Sequence, residues 1–154
     1  MVEVTNILWL TDFSEDSLYA LGYARTLAEL FQTKLYLLHV IDNPASSIYG
    51  RAEKGSLTVD SHAREQTWQW LQAAVQRELT NYFSYEILVR AGDILTKIGQ
   101  TVREKEIGTI VMGTHGRSGL AHIVLGSVAE QVVRSVPCPV YVVPHPRRRG
   151  VVSA

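Results

Sequence analysis

The chain reads as an α/β protein: a five-stranded parallel sheet with helices on both faces, closed as a three-layer sandwich. Three observations predict this. Short apolar runs alternate with helix-period segments along the length of the chain. Those runs are apolar at consecutive positions, as strands covered on both faces require. Right-handed crossovers between successive parallel strands then bring helices to either side of the sheet. A length of 154 residues favours a single unit. We assign residues 1–146 to the domain and 147–154 to a basic tail carrying Arg147, Arg148 and Arg149.

The elements follow in order. Residues 4–11 form a buried strand that ends at a polar turn, Asp12-Phe13-Ser14-Glu15-Asp16. A helix follows, with Ala20, Ala24, Leu27 and Phe31 recurring every three to four residues. Residues 34–41 are the second strand. The segment 42–58 is polar, holds Pro44, Gly50 and Gly55, and is long for a connection within one domain, which makes it a candidate mobile or functional loop. A long helix then presents Trp68, Leu71, Val75, Leu79 and Tyr82 on one face. Residues 85–90 are the third strand, and Asp93 is placed to cap a helix with Ile94, Ile98 and Val102 inward. Residues 109–112 are the fourth strand. A glycine-rich segment leads from it into a helix through Val128, Val132 and Val133, and residues 140–143 are the fifth strand, stopped by Pro144.

Composition removes several classes of function. Lys and Arg number 15 against 15 Asp and Glu, so no excess of positive charge is present to meet a nucleic-acid backbone. No apolar stretch approaches the roughly 18–20 residues of a membrane span. The first residues lack the basic and apolar regions of a secretory leader, and the single cysteine, Cys138, can form no intrachain disulfide; both fit a cytoplasmic protein. Cys138 reads as a packed residue. The five histidines, at 39, 62, 115, 122 and 145, show no metal-ligand spacing.

In an open α/β sheet, ligands bind beyond the carboxyl ends of the strands where the strand order reverses. Two strand ends carry suitable chemistry. The first offers Asp12, whose carboxylate can accept hydrogen bonds from ribose hydroxyls. The fourth offers Gly113, Thr114, His115 and Gly116, then Gly119, Gly126 and Ser127. Glycines let backbone N–H groups approach phosphate oxygens, and a helix starting near Ser127 adds unpaired N–H groups and the positive end of its dipole. The spacing matches neither a Walker A loop nor the dinucleotide fingerprint. Structural readings stand beside the functional one: the glycines serve turns, Ser127 and Glu130 form a capping box, and Asp12 or Ser14 caps the first helix.

Residues 7–17, ILWLTDFSEDS, residues 108–144, and the order of elements between them resemble the universal stress protein family over nearly the whole chain. Members that bind ATP carry G-x2-G-x9-G-[ST], and Gly113, Gly116, Gly126 and Ser127 match that spacing without a gap. The resemblance implies the strand order 3-2-1-4-5, which sets the first and fourth strands side by side. It implies an ATP-binding regulator of the stress response. Asp12 would lie near the ribose, and Val40 would line the adenine pocket, with Met112 and Gly113 nearby. Gly116, Gly126, Ser127 and Val128 would hold the phosphates, with Thr114 and His115 in the same loop and Mg²⁺ accompanying the ATP. It further implies a homodimer paired through Val140, Tyr141, Val142 and Val143, and an unidentified protein partner. Two alternatives stay open: a slow ATP hydrolase or adenylyl transferase using the same site, and a nucleotide-free dimeric interaction module.

Overall fold

Successive side chains of the central strands enter two different cores. Ile7 and Trp9 pack into one and Leu8 and Leu10 into the other; Leu35 and Leu37 divide likewise from Tyr36 and Leu38. This is the two-sided burial that consecutive apolar residues require of a parallel strand. In the computed structural model, which describes residues 3–42, 61–82, 84–115 and 125–148, the elements run β1 (Asn6–Leu10), α1 (Glu15–Phe31), β2 (Leu35–Asp42), α2 (Ser61–Gln76), β3 (Tyr85–Gly92), α3 (Ile94–Glu104), β4 (Ile107–Gly113), α4 (Ser127–Ser135) and β5 (Val140–Val143). A short 3₁₀ turn, Pro146–Arg148, follows. The 43–58 part of the long polar loop, Gly116, Gly119 and residues 149–154 lie outside the described residues.

The sheet is parallel, in the order β3-β2-β1-β4-β5. α1 and α2 cover one face through Ala20, Leu21, Ala24, Ala28, Leu71 and Val75. α3 and α4 cover the other through Ile98, Val102, Ala129 and Val132. The five-stranded, three-layer arrangement expected from the sequence is the one found, and the order places β1 beside β4. The register joins Ile7 to Thr109 and Trp9 to Val111.

The helix stripes differ in detail from the periodicity. Phe31 is exposed at the end of α1, while Leu21 and Ala28 take the inward positions. On α2 the buried series is Thr67, Leu71 and Val75, continued by Leu79 beyond the helix; Trp68, one position off that stripe, is exposed. In α4, Ala129 and Val132 face the core, whereas Val128 and Val133 are exposed. A helix on a sheet buries one narrow stripe, so apolar neighbours one residue away turn outward. Asp93 does cap α3: its Oδ2 accepts from the Thr96 amide at 2.9 Å and from the Thr96 hydroxyl at 2.7 Å. Cys138 is half-buried against the second core, and burial pushes its thiol above the ordinary range.

Candidate functional site

The turn after β1 is built by side chains folding back on backbone. The Thr11 hydroxyl accepts from the Phe13 amide at 3.0 Å, and Asp12 Oδ1 accepts from the Ser14 amide at 2.9 Å. Between them Phe13 has φ +65°, a left-handed backbone that a bulky residue adopts only when its surroundings impose it. Its ring lies 4.8 Å from that of His39 on β2, whose Nδ1 is 2.8 Å from the Thr11 carbonyl oxygen. Ser14, not Asp12, is the N-cap of α1, accepting from the Ser17 amide at 3.2 Å. Asp12 thus shapes the turn and is not spent on the cap.

α1 then passes very close to the end of β4. A Cβ on Gly113 would lie 2.7 Å from the carbonyl carbon of Asp16 and 2.9 Å from the amide nitrogen of Ser17. Glycine at 113 is therefore required by helix-on-strand packing, whatever else approaches it. The Ser14 hydroxyl reaches the His115 carbonyl oxygen at 3.5 Å, a further tie between the two strand ends. Thr114 and His115 are both buried beside Asp16. The Thr114 hydroxyl donates to Asp16 Oδ2 at 3.3 Å and lies 2.8 Å from His115 Nδ1, which is itself 3.5 Å from Asp16 Oδ2.

The Gly126 amide donates to the Thr114 carbonyl oxygen at 2.6 Å, which ties the start of α4 to the residue just after β4. Gly126, not Ser127, is the N-cap of α4, and no side chain among the described residues caps this helix. The capping box expected of Ser127 and Glu130 does not form; Ser127 stands one position inside the helix, too far along to bond back to its start. Ser127 and Val128 are exposed in the first turn, where backbone N–H groups have no partner within the helix. Because the Gly126 N–H is engaged by Thr114, an anion at this end would meet the amides that follow it.

Of the residues singled out in the sequence, the fold brings Asp12, Gly113, Thr114, His115, Gly126, Ser127 and Val128 to the carboxyl edge of β1 and β4. Val40 and Met112 lie on one face of the sheet, in the core that α3 and α4 cover. Gly116 falls outside the described residues. The residue that sequence reasoning missed is Asp16. A carboxylate in the first turn of a helix reads as a solvated partner of the helix dipole, yet its side chain is only 5% exposed. Among the described residues no three His, Cys, Asp or Glu side chains converge as a metal centre, and no helix is long and apolar enough to cross a membrane.

Comparison with known proteins agrees with this architecture. The universal stress protein MJ0531 of Methanocaldococcus jannaschii is 32% identical over 139 residues, covering 90% of this chain and 81% of its own. The solved structure of MJ0577, from the same organism, superposes with a TM-score of 0.70 at 26% identity over 94% of this chain and 98% of that one. A universal stress protein solved in complex with cAMP shares the fold, with a TM-score of 0.65 at 21% identity over 90% and 95% of the two chains. The model of the universal stress protein family matches residues 3–144, from the strand that opens the sheet to the one that ends it. With that match spanning every strand and both sides of the β1–β4 edge, the chain belongs to the universal stress protein family.

Proposed function

We propose that this protein is a nucleotide-binding regulator of the stress response, with ATP as its ligand, held beyond the carboxyl ends of β1 and β4. The observation that carries the reading is the start of α4. Among the described residues it has no side-chain cap, it presents Ser127 outward, and its Gly126 amide is bonded to the Thr114 carbonyl oxygen just after β4, on the edge that also carries the Asp12 turn. Uncapped amides at a helix start favour an anion through their N–H groups and the dipole. The choice of ATP among anions rests on the family resemblance, since Gly113, Gly116, Gly126 and Ser127 match the G-x2-G-x9-G-[ST] spacing of its ATP-binding members. In this reading Asp12 takes the ribose and Val40 and Met112 the adenine. Gly116, Ser127 and Val128 take the phosphates, Gly126 ties the helix start to Thr114, and Mg²⁺ enters with the ATP. The fold holds a nucleotide, cAMP, in another protein.

No lysine follows the glycines, and no group is positioned among the described residues as a base for an attacking water, so binding rather than turnover is the proposed activity. The protein acts as a homodimer through β5, the edge strand, where Tyr141 is exposed. Pairing with a second copy protects such an edge. The test is calorimetric titration of nucleotide-free protein with Mg·ATP. Wild type should bind, and Ser127→Ala should weaken binding about tenfold, one hydrogen bond's worth, with thermal stability unchanged because that hydroxyl caps nothing. Absence of binding at millimolar ATP refutes the reading and leaves a nucleotide-free interaction module.

A further inference from the structure

His39 of β2 holds both sides of the Asp12 turn at once. β1 leaves its neighbour at Thr11. The Thr11 amide still donates to the Leu38 carbonyl oxygen at 3.1 Å, while the Thr11 carbonyl oxygen lies 2.8 Å from His39 Nδ1. A carbonyl oxygen has lone pairs and no proton to give, so this contact is a hydrogen bond only with a proton on Nδ1, whatever else the ring meets. The same ring lies 4.8 Å from that of Phe13, tilted by 47°. Thr11 and Phe13 are the two chain neighbours of Asp12. One side chain of the adjacent strand therefore grips the residue before the carboxylate through its carbonyl, and the residue after it through its ring.

Phe13 needs that grip, because its φ of +65° is a backbone that a bulky residue keeps only under constraint. Two bonds within the turn support it, from the Phe13 amide to the Thr11 hydroxyl at 3.0 Å and from the Ser14 amide to Asp12 Oδ1 at 2.9 Å. Both run between residues of the turn, so neither fixes it against the sheet. The His39 contacts anchor it from the β2 side, as the Ser14 hydroxyl does from the β4 side at 3.5 Å from the His115 carbonyl oxygen. β2 is itself paired on both flanks, with β1 and with β3, which makes it a firm base for such an anchor. We propose that His39 is a positioning residue for the sugar side of the site: with its Nδ1 proton on the Thr11 carbonyl and its ring on Phe13, it holds the turn so that the Asp12 carboxylate can accept from ribose hydroxyls. The ribose part rests on the nucleotide-binding reading above; the Nδ1 proton does not.

The experiment compares wild type with His39→Asn, which keeps an N–H near the place of Nδ1, and His39→Leu, which keeps only bulk. Long-range proton–nitrogen spectra of histidine-labelled wild type, taken at about pH 8 above the ordinary histidine range, report which ring nitrogens bear protons. The signals missing from His39→Asn identify His39. Its Nδ1 should be protonated. In parallel, Mg·ATP and Mg·2′,3′-dideoxy-ATP are titrated into each folded protein. Wild type should prefer ATP about tenfold, the worth of one hydrogen bond to the ribose. His39→Leu should lose that preference through weaker ATP binding, with dideoxy-ATP within about twofold of its wild-type affinity. His39→Asn should retain the preference. A merely structural role would weaken both nucleotides alike. A bare Nδ1 in wild type overturns the Thr11 contact whether or not nucleotide binds. An unchanged preference in His39→Leu, its loss in His39→Asn as well, or an equal weakening of both nucleotides overturns the positioning role. Wild type that binds both nucleotides equally overturns the ribose role of Asp12 and this one with it. Failure of wild type to bind ATP refutes the proposed function and the ribose role together, and the spectra still decide the Nδ1 proton.

Discussion

Gly113→Ala should destabilise the protein severely, although the change adds one methyl group. The new Cβ would lie 2.7 Å from the Asp16 carbonyl carbon. Carbon atoms in contact rest at about 3.5–4.0 Å, so α1 must withdraw by roughly 1 Å. The obstacle is backbone on both sides, so no side-chain rotation relieves it. Withdrawal stretches the 2.9 Å bond from Trp9 Nε1 to the Ser17 carbonyl oxygen and loosens the alanine stripe of α1 against the sheet. Overpacking of this kind costs about 1–3 kcal/mol, and weakening one buried hydrogen bond adds about 1 kcal/mol, for a total of about 3 kcal/mol. At about 2–4 °C per kcal/mol for a chain of this size, the melting temperature should fall by about 6–12 °C. The control is the same substitution at Gly99, inside α3. There a Cβ meets nothing nearer than an Arg103 guanidinium nitrogen at 3.7 Å. Gly99→Ala should stabilise by about 0.5–1 kcal/mol, since alanine is the better helix former. Urea unfolding followed by tryptophan fluorescence, with Trp9 fully buried, reads both. A Gly113→Ala protein within about 0.5 kcal/mol of wild type would refute the packing argument. The result also bears on ligand studies: loss of binding in a Gly113 variant reports the fold before it reports a phosphate contact.

Two further outcomes follow from polar contacts away from the site. Glu86 lies between Lys34 at 2.7 Å and Lys105 at 3.0 Å, and the hydrogen bond from Lys34, then that from Lys105, holds its carboxyl below the ordinary 4.5. A depressed folded value means this stability is present above the unfolded value and lost as pH falls through the folded one. Glu86→Gln should therefore flatten the acid side of a stability-versus-pH curve below about pH 4.5, modestly because the side chain is partly exposed; an unchanged acid limb would count against the pairing. Asp93→Ala should cost about 1 kcal/mol in denaturant unfolding by removing the α3 cap, with Asp93→Asn recovering most of it, and an alanine variant as stable as wild type would contradict the capping role.

The fold was legible because apolar runs are a local property. Residues 34–41 and 85–90 announce strands by their own composition, and the observed β2 and β3 differ from them by one or two residues at the ends. The Asp93 cap was legible for the same reason, since its partner is three residues away. The site divides differently. Its position at one sheet edge could be argued from strand order, but the use of each residue could not. Ser127 and Glu130 have the spacing of a capping box, yet the Gly126 amide turns back to Thr114 and the helix begins one residue earlier in role than the motif implies. Asp16 looked like surface charge because its partners, Thr114 and His115, stand about a hundred positions along the chain. Phe13 gave no sign of its left-handed backbone, which is imposed by bonds from its neighbours and by His39 of another strand.

The placement of β1 between β2 and β4 has a consequence for when the site comes into being. The first half of the edge, residues 11–17, leaves the ribosome before the second, and β2 follows within a few tens of residues. The second half arrives only with residues 107–127. At about 5–20 residues per second, the Asp12 turn and the exposed flank of β1 wait roughly 5–20 s for β4. Until then the centre of the sheet is a temporary edge, and Asp16, destined for burial, is in water. The two halves of the β1–β4 edge therefore meet only once β4 and the start of α4 have emerged, with the edge strand β5 still to follow.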